Sequence, residues 1–167
     1  MNVNNLIQTL RDIRFLQDID AAHLKQIADI AQICEFDADD VVFREGQAAE
    51  SVYLVISGKL SLELSPATAY RKQLVSVGPG EMLGWSSLVG NPRFAATAIV
   101  VEPTRLIQID GMRLRAICDE DPQFGYEFMR RTMRALAKRL TETWRQLSYV
   151  YLSHNVPVTA SNEERNL

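Results

Sequence analysis

From Asn4 to Cys34 the apolar residues fall at three- and four-residue steps: Leu6, Ile7, Leu10 and Ile13, then Leu16 and Ile19, then Leu24, Ile27, Ala28 and Ala31. That spacing predicts amphipathic helix. Asp18 to Asp20 divides it into two pieces, and Asp20 in DIDAAHLKQIADIA is placed to cap the second by accepting from the free amides of its first turn. After Phe36 the period drops to two. The runs VVFREG, SVYLVISG, KLSLEL, QLVSVGPG, FAATAIVV and RLIQID are short, rich in Val, Ile, Leu and Thr, and separated by Gly, Pro or Asp, which predicts eight or so antiparallel strands. Gly46, Gly58, Gly78, Gly80 and Gly111 are expected at turns. In KLSLEL, Leu60, Leu62 and Leu64 share one face and Ser61 and Glu63 the other, which predicts a strand with one wet side.

From Asp121 the helical period returns. Pro122 suits a first helical turn and no proline follows until Pro157, so one long helix is predicted. Along it Met129, Met133, Leu136, Leu140, Thr143 and Leu147 step by four and three as a heptad seam. A seam of this kind either joins two copies as a homodimer or packs on the chain's own β-domain. The resulting division is a helical segment over 1–35, a β core over 36–110, helices over 111–153 and a polar, flexible tail over 154–167, within one domain overall.

Composition narrows the class. The 167 residues are 47% apolar and 23% charged, ordinary for a globular protein, and the net charge of -3 argues against a globally basic nucleic-acid binder. Cys34 and Cys118 belong to no CxxC or Cys/His cluster, and His23 and His154 are isolated, so neither a metal nor a haem site has support. The N-terminus has no secretory pattern and no segment reaches the roughly 18 apolar residues of a membrane span, so a cytoplasmic location is expected. No Ser/His/Asp set, carboxylate pair or GxxxxGK[ST] loop is present, and an enzyme is not expected.

The order of helix, short strands with glycine turns and one long helix, together with FLQDIDAAHLKQIA, VVFREG, VYLVISGKLSL and GEMLGWSSLVGNPRFAATAIV, resembles the cyclic-nucleotide-binding domains of Crp/Fnr regulators and of kinase regulatory subunits. The resemblance runs from about Phe15 to Leu147. It implies a mainly β fold, an antiparallel β-roll of the double-stranded jelly-roll kind with flanking helices, and a ligand cassette made of a short helix and the strand after it. Cyclic AMP or cyclic GMP is the ligand it implies, and no other cofactor. Gly84 would let the backbone approach the phosphate, the amides of Trp85, Ser86 and Ser87 would face it, and Ala95 would belong to the strand that completes the cassette.

The family cassette reads Gly-Glu-aliphatic-Ala-Leu and, further on, Pro-Arg-Ala-Ala-Thr, its glutamate accepting from the ribose and its arginine pairing with the phosphate. Laid without gaps on GWSSLVGNPRFAAT, that pattern puts Trp85 at the glutamate and Phe94 at the arginine. Arg93 stands one residue early, which on a regular strand points it to the opposite face unless a bulge re-aims it. Glu81 lies in the approach to Gly84 and is not counted as the ribose contact. Trp85 either plugs the sugar pocket or stacks on a planar ligand. Thr141 and Trp144 on the long helix are the candidates for a lid over a base.

Arg130, Arg131, Arg134, Lys138, Arg139 and Arg145 form a basic stripe on the same helix, either a solvated face or a surface for an anionic partner. The residues after Leu147 are too few for a helix-turn-helix, so no DNA-binding domain is expected in this chain. The sequence therefore reads as a stand-alone regulatory or sensor module that binds a small ligand, by an altered cyclic-nucleotide mode or of another kind, and signals to a downstream protein through its last helix. The alternative is a ligand-free interaction module that dimerises through that helix and binds a protein partner.

Overall fold

The computed structural model describes residues 3–64, 72–90 and 93–154. Two helices open the chain, α1 (Val3–Asp12) and α2 (Ala21–Ala28), with a 3-10 turn at Arg14–Leu16 between them. Six strands follow: β1 (Ala31–Phe36), β2 (Val41–Phe43), β3 (Ser51–Leu64), β4 (Lys72–Val77), β5 (Met82–Leu83) and β6 (Thr97–Asp110). A second 3-10 turn, Trp85–Ser87, follows β5, and α3 (Gly111–Glu120) and α4 (Pro122–His154) end the described chain. No helix among the described residues is long and apolar enough to cross a membrane.

All pairing in the sheet is antiparallel, in the order β1-β6-β3-β4, with β2 also on β6 and β5 also on β3. The runs SVYLVISG and KLSLEL, expected as two strands, form the single strand β3, and FAATAIVV and RLIQID likewise merge into β6 from Thr97 onward. Gly58 is the reason a turn was expected, and it instead sits where the β3–β6 register slips, at φ +92. A Cβ there would lie 2.3 Å from Thr104 Oγ1, so the position is closed to other residues by both conformation and space.

Three further expectations are corrected. The helical segment ends at Ala28, and Ala31–Phe36 is a strand pairing Ala31 with Ile109 through Phe36 with Thr104, because Gln32, Ile33 and Cys34 find their partners on β6. Gly111 opens α3, tight against Ser87 and the Glu50 carbonyl, and is not a turn residue. Ser61 is buried and donates to Glu63 at 3.0 Å, whereas Leu64 is exposed, so the polar face of that run is not the wet one. The tail over 155–167 lies outside the described residues.

The period of two divides the core. On β3, Val52 and Leu54 face the helices and join Leu10, Leu24, Ile27 and Phe128, while Tyr53 and Val55 point into the roll with Phe43, Leu60 and Leu106. A strand buried on both faces needs a nearly continuous apolar run, which Val52–Val55 supplies. Asp20 caps α2 as the sequence predicts, its Oδ1 accepting from the amides of Ala22 at 2.9 Å and His23 at 3.0 Å. His23 also reaches across the fold. Its Nδ1 lies 2.5 Å from Asp20 Oδ2, its Nε2 lies 3.2 Å from Asp121 Oδ2, and its ring stacks on Phe124 at 4.2 Å. Asp121 in turn caps α4 through the amides of Gln123 and Phe124, so one imidazole links the starts of two helices.

Candidate functional site

The cassette is the 3-10 turn Trp85–Ser87 and the segment that leads into β6. Gly84 precedes the turn at φ +79, and a Cβ on it would lie 2.7 Å from the Ser51 carbonyl oxygen. Its close approach is therefore to β3, inside the fold. Ser86 and Ser87 are buried, and the Ser87 hydroxyl donates to the Gly84 carbonyl at 3.2 Å, which uses one of the two hydroxyls expected to face a ligand. Trp85 is half-buried and packs against the helix-side core.

Arg93 and Phe94 take opposite sides. Arg93 is exposed, forms an isolated antiparallel bridge with Ala48 and donates from Nη1 to the Gly46 carbonyl at 2.6 Å. Phe94 is 4% exposed and stacks on Phe43 with centroids 3.9 Å apart and planes 17° apart. Backbone bonds from Phe94 N to Gln47 O and from Gly46 N to Phe94 O, both 2.9 Å, pin this register. Arg93 faces outward, so the aromatic ring stands where the ungapped alignment placed a guanidinium.

What remains is a cavity of about 40 Å³ walled by Phe43, Leu62, Trp85, Phe94 and Ala95, with Arg139 reaching it from α4. Space of that size holds about one water, against the ~300–1,000 Å³ typical of ligand sites. Of the side chains on α4, Arg139 lines the cavity, while Thr141 is exposed and donates to the Ala137 carbonyl and Trp144 is 61% exposed. The structure does not bring the two proposed lid residues to the cassette.

Arg139 is the residue that sequence reasoning missed. Its Nη2 donates to the Met82 carbonyl at 2.8 Å, 57 positions back along the chain, and nothing local in the sequence distinguishes it from the rest of the basic stripe. Burial pulls its pKa down while Glu81 and Glu142 pull it up, and a guanidinium stays protonated throughout. Glu81 is engaged elsewhere, its Oε2 accepting from the Gly78 amide at 2.9 Å and its Oε1 lying 3.2 Å from Lys138 Nζ.

The heptad seam is divided. Met129 packs on the helix-side core, Leu136 is half-buried, and Thr143 donates to the Arg139 carbonyl at 2.9 Å. Met133 and Leu140 are exposed, and with Tyr126 and Trp144 they form an apolar stripe on the outer face of α4. The Leu147 side chain lies outside the described residues.

Comparison with known proteins places this geometry. Residues 33–121 match the family described as the cyclic nucleotide-binding domain. Over 106 residues the chain is 32% identical to a Rhodopseudomonas palustris protein named as a potassium channel, covering 64% of this chain and 24% of that one. It is 24% identical over 127 residues to the CRP-like cAMP-activated global transcriptional regulator of Mycobacterium tuberculosis, covering 76% of this chain and 55% of the regulator. The chain thus spans about a quarter of the one relative and about half of the other. A solved structure from Geobacter metallireducens, named for cyclic nucleotide binding, superposes with TM-score 0.72 at 29% identity over 80% of this chain and 96% of that one.

Proposed function

The chain belongs to the cyclic nucleotide-binding domain family, and we propose that it is a regulatory module whose cassette is closed by its own Phe94 and does not hold cyclic AMP or cyclic GMP in the tight conventional mode. The observation that carries the reading is the reversal of two neighbours, Arg93 bonded outward to Gly46 and Phe94 stacked inward on Phe43. A phosphate arriving here finds no guanidinium on the strand, which removes about 2–4 kcal/mol of charge-assisted pairing. Trp85 in place of the ribose-binding carboxylate removes about 1–3 kcal/mol more. At about 1.4 kcal/mol per decade these losses weaken affinity roughly a hundred- to a hundred-thousand-fold. Displacing the Phe94 ring costs about 1.5–3 kcal/mol in addition.

A ligand that does enter displaces Phe94 and meets Arg139 as the cation from α4. Because Arg139 also holds the Met82 carbonyl, such a ligand biases the seating of α4, and α4 passes that bias to a protein partner. Calorimetry and thermal shift with cyclic AMP and cyclic GMP at millimolar concentration test the reading. The wild-type chain is expected to show no saturable heat and no rise in Tm. A ligand at about 100 times its Kd adds about 2.7 kcal/mol, so a rise of that size would overturn the proposal.

A second reading rests on the stripe Tyr126, Met133, Leu140 and Trp144, each at least half exposed and spaced so as to share one helix face. A second copy of α4 fits that stripe and makes the module a homodimer. Sedimentation of the wild type and of Leu140→Asp decides it. A dimer that the substitution splits is the expected result, and a wild-type monomer at tens of micromolar removes the idea.

A further inference from the structure

A groove of about 760 Å³ lies between the first 3-10 turn, the Gly78–Glu81 turn and the middle of α4, sharing only Arg139 with the lining of the cassette cavity. Its walls are tied together by bonds that leave its mouth open. Arg131 donates from Nη1 to the Phe15 carbonyl at 3.1 Å and to the Gln17 carbonyl, fixing α4 to the 3-10 turn. Lys138 on Glu81 and Arg139 on the Met82 carbonyl fix it to the other side.

The charge of this groove runs against that of the chain. Six basic side chains line it against the three acidic ones Asp18, Glu81 and Glu127, in a protein whose net charge is -3. Glu81 and Glu127 are already engaged, Glu81 with Lys138 and Glu127 with Arg130 at 2.7 Å and Arg131 at 3.0 Å. The guanidinium groups of Arg14, on the 3-10 turn, and Arg134, on α4, have neither an ion pair nor a hydrogen bond among the described residues. They stand on different walls of one concavity, with Pro79 and Ala135 supplying apolar surface between the charges.

We propose that this groove is an anion site, separate from the cassette, for a small soluble molecule carrying a diphosphate or two phosphate groups, held between Arg14 and Arg134 with Lys138 beside them. Arginine suits the role because its planar fork meets phosphate oxygens two at a time. The volume falls in the range of small-molecule sites and fits a ligand of nucleotide size. The site does not depend on how the cassette is read, because it needs neither a base nor a ribose.

The test is a calorimetric titration of the full chain with inorganic pyrophosphate at near-physiological salt. Saturable one-site binding is expected, weakened about tenfold or more by Arg134→Glu. Arg134 is exposed and unbonded among the described residues, so its variant should keep the wild-type Tm. Arg115→Glu makes the same charge change on the exposed face of α3 outside the groove and is expected to leave binding intact. The proposal is overturned by an absence of saturable binding, by equal weakening in the two variants, or by binding to anionic lipid vesicles in the absence of any binding to pyrophosphate.

Discussion

The rings of Phe94 and Phe43 stack at 3.9 Å inside the β-roll, and Tyr53 continues the column at 5.6 Å from Phe43. On the proposed reading this column occupies the space that a cyclic nucleotide would need. Phe94→Ala is therefore expected to lower the stability of the fold by about 3–5 kcal/mol while enlarging the cavity, measured by urea unfolding. Arg93→Ala acts on an exposed side chain, whose Nη1 donates to the Gly46 carbonyl, and is expected to cost less than Phe94→Ala, about 1.5 kcal/mol. Equal losses for the two substitutions would show that the inward ring does not hold the cassette closed.

Trp85→Glu combined with Phe94→Arg puts both missing charges back into the pattern. The double variant is expected to gain cyclic AMP binding of at least about a hundredfold over wild type by calorimetry, the lower bound of the two lost contacts. A folded double variant with unchanged affinity would mean that the pocket is blocked by something other than these two side chains.

Arg139→Met keeps the length of the side chain and deletes its donors. The Met82 carbonyl then loses a charged partner, and a stability loss of about 1.5–3 kcal/mol is expected. Hydrogen exchange should locate the change, with faster exchange in the middle of α4 and at β5. Protection unchanged there would detach α4 from the cassette.

Acid should weaken the helical layer. The His23 amide and ring hold the Asp20 pKa below the usual carboxylate value, the Phe124 amide does the same for Asp121, and the hydrogen bond from Arg130 does so for Glu127. Each group binds its proton more readily in the unfolded chain. Their contribution is complete above the ordinary carboxylate range, starts to fall as pH enters it, and is gone only below their lowered native values. Urea midpoints are expected to drop between about pH 5 and pH 3, and Glu127→Gln should flatten that drop. A slope identical in wild type and variant would remove Glu127 from the account.

Burial pushes the Cys118 thiol up to about 11 and raises that of Cys34 as well. Thiolate is the reactive form, so Cys118 is expected to resist a disulfide reagent at neutral pH until the chain unfolds. Rapid stoichiometric labelling of Cys118 in the native protein would contradict its buried place on the face of α3 that packs against α4.

The long-range frame was legible where one residue type has one physical use. Asp20 ahead of an apolar helical stretch is a cap, and it caps. Glycine has several uses, and the sequence does not distinguish them: Gly58 looks like a turn and is a slip in register because Thr104, on a distant strand, occupies the space beside it. β1 was hidden for a similar reason, since Ile33 and Cys34 continue a helical spacing and only β6 draws them into a sheet.

Within the site, Arg93 is exposed and Phe94 buried, the alternation that a period of two implies for neighbours in extended chain. Arg139 and the His23–Asp121 contact were out of reach because each joins positions whose proximity exists only after folding. The heptad seam is divided for the opposite reason. Its spacing is a true helical stripe, but the core beneath α4 takes up Met129 and leaves Met133 and Leu140 outside.

The pairing of β3 with β6 runs from Ser51 opposite Asp110 to Glu63 opposite Thr97, and every other strand hangs on one of these two. Their union closes a long loop of chain, unlike the short connection that joins β3 to β4. Topology of that kind is slow to form, on the order of milliseconds to seconds, whatever the final stability. The cassette lies inside the loop being closed, between β5 and β6. The sheet that frames the pocket is therefore complete only once β6, the last strand in the chain, has paired with β3.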